Sequence, residues 1–229
     1  ILKIKLYICI MIRGFLYRIF PTKEQEVLLS KHFGSARWVY NYALNKKIVA
    51  YQTNKESLSR FTIQKDLVTL KKSEDTKWLK EVNSQTLQAS LENLDKAFTK
   101  FFRDKKGFPK FKSKNNNHQS FSVPQNGKID FETNTISLPK FKKPIKCKIH
   151  RKYNGNSKTI TISKTHTGKY FVSILVEVNE APKTNKTICE NQAVGVDLGI
   201  KTFATLSNGI EIENPKYLKK SLEKLKTLQ

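Results

Sequence analysis

Acidic residues are scarce in this 229-residue chain: 19 Asp and Glu stand against 43 Lys and Arg, a formal net charge of +24. Such an excess opposes compaction by self-repulsion unless a polyanion neutralises it. Nucleic acid is the first candidate, because phosphate contacts supply most non-specific binding energy. A ribosomal or membrane-surface protein could be equally basic, so charge alone leaves those classes open. Cysteine is nearly absent. Cys9, Cys147 and Cys189 lie far apart and form no C-x-x-C pair, which argues against a zinc site built from this chain and suits thiols in a reducing cytosol. Methionine occurs once, at Met11, behind the apolar and basic run ILKIKLYICI. That run is short and lacks a small-residue cleavage site. Residues 1–10 are therefore expected to be an extension ahead of a natural start at Met11. No other stretch approaches the length of a membrane span, so no membrane partner is expected. The expected location is cytoplasmic, at the nucleoid if the source is bacterial.

The apolar spacing divides the chain. GFLYRIF reads as a strand stopped by Pro21, and Thr22 with Gln25 has the spacing of a capping box at a helix start. Leu29, Phe33, Ala36, Tyr40, Leu44, Ile48 and Tyr51 then recur at three and four residues, one face of a helix. Gly34 weakens that helix, and a close helix–helix contact would account for it. A shorter helix is expected over Phe61–Lys71, and a clear one from Ser84, carrying Leu87, Leu91, Leu94, Phe98 and Phe101. Residues 22–104 thus read as a helical unit of three or four helices. The period changes beyond Gly107 and Pro109. Short β-like segments follow, with hairpin turns expected at Thr133-Asn134 and Thr167-Gly168. A twisted antiparallel sheet or small barrel is expected across 107–180.

The positive charge is concentrated. Residues 103–117 carry Arg103, Lys105, Lys106, Lys110, Lys112 and Lys114 against the single acid Asp104. Residues 140–152 carry Lys140, Lys142, Lys143, Lys146, Lys148, Arg151 and Lys152 with no acid. In the second stretch the cations alternate with Phe141, Ile145 and Ile149, as on a strand with one buried and one cationic face. Such a face with aromatics nearby suits a phosphate backbone and stacked bases. A solvated charged surface would read the same way.

One carboxylate stands out, Asp197 in the apolar strand AVGVDLGI, which TFATLSNG can pair antiparallel. A buried ionised carboxylate is costly unless it is paired or bound to metal. Nucleases cluster such acids around two divalent ions that polarise the phosphate and generate the attacking hydroxide. A strand-end turn is the plainer reading of a lone D-x-G.

GVDLGIKTFATLSNG resembles the first RuvC motif of the TnpB (OrfB) proteins of insertion sequences, RNA-guided DNA endonucleases long described as transposases and related to type V CRISPR effectors. Other blocks match in order: YRIFPTKEQEVLLSKHFGSARWVYNYAL, often labelled helix-turn-helix, WLKEVNSQTLQASLENLDKAFTKFF, GFPKFKSK, and NPKYLKKSLEKLKTLQ. The resemblance implies an α+β fold. Residues 11–21 and 105–188 would form a wedge-type β-barrel, 22–104 an inserted helical recognition lobe, and 193–229 the first part of an RNase H-like (RuvC) α/β domain. The implied partners are a guide RNA, DNA, and a separate transposase encoded by the same element. A guide–target heteroduplex would be held by shape while base pairing reads sequence. The implied cofactor is Mg, with Asp197 as catalytic and metal-binding acid. The family's further Glu and Asp, and its four-Cys zinc ribbon, fall after Gln229. The site is therefore expected to be incomplete, and the chain to be inactive alone: a fragment, a disrupted reading frame, or a truncated relative kept for binding. A non-cutting nucleic-acid-binding regulator is the alternative.

Overall fold

The computed structural model describes residues 11–115, 118–178 and 193–228, with no account of the His118 side chain. The expectations for residues 1–10, for Cys9 and Cys189 and for the linker into Ala193 lie outside those residues. The chain divides into two compact units at Ala181/Pro182.

The first unit is α+β. Strand β1 (Met11–Phe20) is followed by α1 (Lys23–Asn54), α2 (Arg60–Leu70), a 3₁₀ segment (Glu74–Glu81) and α3 (Ser84–Arg103). Six further strands complete it: β2 (His118–Val123), β3 (Lys128–Asp130), β4 (Thr135–Ser137), β5 (Ile145–Lys148), β6 (Asn156–Thr165) and β7 (Tyr170–Val178). All seven form one antiparallel sheet, curled into a half-barrel, in the order β2-β6-β7-β1-β5-β4-β3. β1 is central: Met11 faces Val178 and Ile19 faces Tyr170 on one side, and Arg18 faces Lys148 on the other. No ladder joins β2 to β3 among the described residues, so of the expected sheet or small barrel the sheet forms and stays open as a half-barrel. Alternation along β1 buries Phe15, Tyr17 and Ile19 and leaves Ile12, Leu16 and Phe20 exposed. Both expected hairpin turns form, with Asn134 and Gly168 at positive φ (52° and 77°).

Helix α1 is unbroken over 32 residues and begins at the expected capping box: the Thr22 hydroxyl accepts from the Gln25 N–H, and the Gln25 side chain accepts from the Thr22 N–H. It serves two cores. Leu29, Phe33 and Ala36 pack on the sheet with Phe121, Ile162 and Val172. Val39, Tyr40, Ala43 and Leu44 pack with Ile63 and Leu67 of α2, Leu79, and Leu87, Leu91 and Leu94 of α3. Tyr51 is exposed, so the apolar stripe ends before it. A Cβ on Gly34 would meet nothing within 4 Å; the expected close helix contact is absent and the residue floors a cleft instead.

His32 joins the two cores. It is 1% exposed; its Nδ1–H donates to the Leu28 carbonyl at 2.8 Å and its Nε2 accepts from the Asn83 N–H at 3.2 Å. Its ring stacks on Phe121 and lies 5.5 Å from Phe141. Desolvation by burial holds its pKa below the ordinary histidine value, with Lys140 acting in the same direction against the hydrogen bond to Leu28. Cys147 is buried against the sheet core, and burial raises its thiol to about 11. No helix among the described residues is long and apolar enough to cross a membrane.

The second unit holds β8 (Val196–Leu198), β9 (Thr202–Leu206), β10 (Glu211–Glu213) and α4 (Tyr217–Leu228), with sheet order β10-β9-β8. Ala204 is its one buried apolar side chain among the described residues.

Candidate nucleic-acid interface

The first basic stretch leaves the end of α3. Arg103 closes the helix, the N–H groups of Asp104 and Lys106 donate to the Lys100 carbonyl, and Lys105 sits at φ 48°. Phe108 packs edge-on against Phe98 and Phe101, and Pro109 is buried. The loop is clamped to α1: the Asn41 amide donates to the Lys112 carbonyl at 2.9 Å and accepts from its N–H at 2.8 Å. The Lys112 ammonium lies 4.2 Å from the centre of the Tyr40 ring. A fixed backbone thus carries Arg103, Lys105, Lys106, Lys110 and Lys114 outward, and none of the five is ion-paired among the described residues.

The second stretch is only partly a strand. Lys140, at φ 75°, Lys142 and Lys143 occupy a turn before Pro144, and the strand is confined to Ile145–Lys148. This corrects the longer strand expected over 140–152. Proline cannot donate to a ladder, and a residue at positive φ leaves the β region. The Gln25 amide donates to both the Lys143 and Pro144 carbonyls, fixing the turn to the start of α1. Within β5 the alternation is as expected: Ile145 and Cys147 are buried, Lys146 and Lys148 exposed. Phe141 and Ile149 still pack partly buried on the sheet core.

Register adds a cation that one-dimensional reading missed. Arg18 of β1 faces Lys148, and Phe20 faces Lys146; directly opposed residues share a sheet face. The Arg18 guanidinium lies 5.0 Å from the centre of the exposed Phe20 ring. Arg18, Lys146, Lys148 and Phe20 thus form one exposed basic and aromatic patch. The only signal for Arg18 was the alternation of β1, which cannot name its neighbour across the sheet. Arg151 turns instead toward the start of β1, with its guanidinium 4.8 Å from the centre of the Phe15 ring. Its carbonyl accepts from the Tyr17 hydroxyl at 2.8 Å, and burial raises that phenol to about 12. Lys152 is exposed beside it. No hydrogen bond or ring contact joins the 103–114 and 140–152 stretches among the described residues.

Asp197 is not buried. All three residues of β8 are exposed, because three short strands and one helix offer too little apolar cover. Across the sheet Asp197 faces Thr205, which faces Glu211. The two carboxylates share a face two strands apart, roughly 10 Å between backbones. No group of three or more His, Cys, Asp or Glu able to hold a metal occurs among the described residues. Asp197 thus has no cluster of acids around it among the described residues, and a magnesium site there rests on the resemblance alone.

Two OrfB family descriptions match the chain: "Helix-turn-helix domain" over residues 11–56 and "Probable transposase" over 173–229. A "Putative RNA-guided DNA endonuclease" of Streptomyces pristinaespiralis is 33% identical over 221 residues, 95% of this chain and 53% of its own length. The "Putative RNA-guided DNA endonuclease InsQ" of Escherichia coli K12 is 31% identical over 218 residues, with the same two coverages. The chain belongs to the TnpB/OrfB family of insertion-sequence proteins. It spans about half the length of these two relatives. "Virulence protein VsdF" of Salmonella dublin is 39% identical over 113 residues, 45% of this chain and 95% of its own length. A solved chain titled "Cryo-EM structure of CRISPR-Cas12f Ternary Complex" aligns over 90% of this chain and 52% of itself, at 12% identity and a TM-score of 0.38. The block labelled helix-turn-helix is, in this TnpB/OrfB protein, one strand and one unbroken helix, with no turn between two helices.

Proposed function

We propose that this chain is the nucleic-acid-binding N-terminal portion of an RNA-guided DNA endonuclease, holding guide RNA and target DNA. The carrying observation is the set of unpaired cations on a braced framework: the clamped 103–114 loop and the Arg18, Lys146 and Lys148 sheet face. The names of the Streptomyces and Escherichia relatives support the same reading. In this reading residues 11–21 and 105–188 act as the wedge, the helices inserted after β1 as the recognition lobe, and 193–229 as the start of a RuvC-like domain. Asp197 serves as one acid of a nuclease site whose other ligands are not among the described residues. A non-cutting regulator is the second reading, favoured by the isolation of Asp197.

Salt dependence tests the binding. Each neutralised phosphate contributes about 0.7 to the slope of log affinity against log salt for single strands and about 0.9 for B-DNA. Replacing Lys140, Lys142, Lys143 and Lys146 together with Ala flattens the slope by about 2–3 units for structured RNA in a filter titration. An unchanged slope refutes the assignment. The two readings separate in a form of the protein extended to the length of those relatives. As a nuclease it cuts guide-matched plasmid, and Asp197→Ala stops the cutting while RNA binding persists. As a regulator it binds without cutting.

A further inference from the structure

Gly34 opens a cleft of about 380 Å³ on the outer side of α1, between Trp38 and Trp78. Trp38 stacks on Tyr42 with ring centres 5.3 Å apart and meets Trp78 nearly at right angles, 5.5 Å away and 79° between planes. The Trp78 indole N–H is spent on the Asp75 carbonyl, whereas that of Trp38 has no hydrogen-bond partner among the described residues. The charges in the wall are unbalanced. Lys31 and Glu81 pair with each other, leaving Arg37 without an ionic partner among the described residues. Asn41 lines the cleft and, through its two hydrogen bonds to Lys112, ties it to the basic loop.

The geometry points to a pocket for one unpaired nucleotide of a single strand, its base stacked in the indole corner and its phosphate on Arg37. This rests on the nucleic-acid-binding reading above and adds a base-holding site to it. Three features converge on that ligand class. Two indoles at right angles give a planar ring a stacking platform and a wall, and such stacking tolerates any base. The unpaired guanidinium suits a phosphate oxygen. The basic loop carries the strand's backbone past the cleft mouth. An apolar peptide side chain would leave Arg37 uncompensated, and a paired duplex has no free base face to offer.

The chain contains two tryptophans, and both line the cleft, so intrinsic fluorescence reports on it directly. The probes are a five-nucleotide oligouridylate and an abasic phosphodiester of the same length. The oligouridylate is expected to quench emission saturably, and the abasic strand to leave it unchanged. Gly34→Leu fills the cleft without a backbone clash, since its Cβ meets nothing within 4 Å. It should remove the quenching while the melting temperature does not fall and salt-dependent binding of structured RNA stays parental. Arg37→Gln should weaken oligouridylate binding about ten-fold, on the scale of one charge-assisted contact. Equal quenching by the abasic strand, or parental affinity in Gly34→Leu, overturns the pocket. Failure of the unaltered chain to bind structured RNA overturns instead the reading beneath it.

Discussion

Replacing His32 with Phe keeps a ring of similar volume against Phe121 and Phe141 but removes both ring nitrogens. The Asn83 N–H, which heads α3, then has no acceptor in a site that excludes water. A buried donor left unsatisfied costs about 1–3 kcal/mol, and His32→Ala adds a cavity for a total of about 3–5 kcal/mol. The wild type should also lose stability in mild acid. Burial depresses the folded-state pKa of His32 below the unfolded value of about 6.5. The contribution is therefore complete above that pH and is lost as pH falls toward the folded pKa, where the unfolded chain binds the extra proton. The loss approaches about 1.4 kcal/mol per pH unit within that window. Urea titrations of both proteins at pH 7.5, 6.5 and 5.5, followed by tryptophan emission, separate the two effects. At pH 7.5 the Phe variant is the less stable, and the gap narrows on acidification because only the wild type pays for protonating residue 32. A gap that stays constant with pH refutes the neutral, bridging histidine.

Asn41→Ala releases the 103–114 loop from α1; trypsin cleavage after Lys110 or Lys114 should run about five-fold faster, and an unchanged rate removes the clamp. Thr22→Ala breaks the capping box and should cost about 1 kcal/mol in urea, whereas Thr22→Ser should be nearly neutral. Gly155 holds φ +152°, and a Cβ there would overlap the Glu177 carbonyl oxygen at the start of the β6–β7 ladder. Gly155→Ala should therefore destabilise by about 1–3 kcal/mol, read as a lowered melting temperature; a parental melting curve would contradict the close approach.

The helices were legible because local chemistry decides them. Thr22 and Gln25 announce the start of α1, and Leu87, Leu91 and Leu94 keep one face through α3. The 3₁₀ segment at Glu74–Glu81 escaped because its three-residue turn gives no 3.6-residue stripe and Leu79 is its only buried side chain. Gly34 is ambiguous in the sequence for a related reason: composition reports a missing side chain, not whether the space is filled by a helix or left open. Strand existence was also legible, but sheet closure and face sharing are not local. Arg18 joins Lys148 only through a register set far along the chain. Asp197 shows the opposite error. An apolar strand is buried only where covering layers exist, and β8 has none among the described residues.

The position of β1 also shapes how the protein is made. β1 leaves the ribosome well before its two neighbours in the sheet, β7, with Tyr170 facing Ile19, and β5, with Cys147 facing the same residue. At about 5–20 residues per second, those partners emerge roughly 6–30 s later. The helices between them depend on nearer contacts and can assemble first. Over that interval β1 offers both its edges, with Phe15, Tyr17 and Ile19 uncovered, to whatever else is in reach. Synthesis thus includes a waiting period in which a trigger-type chaperone, or the folded lobe itself, must shield the strand from pairing with another nascent chain.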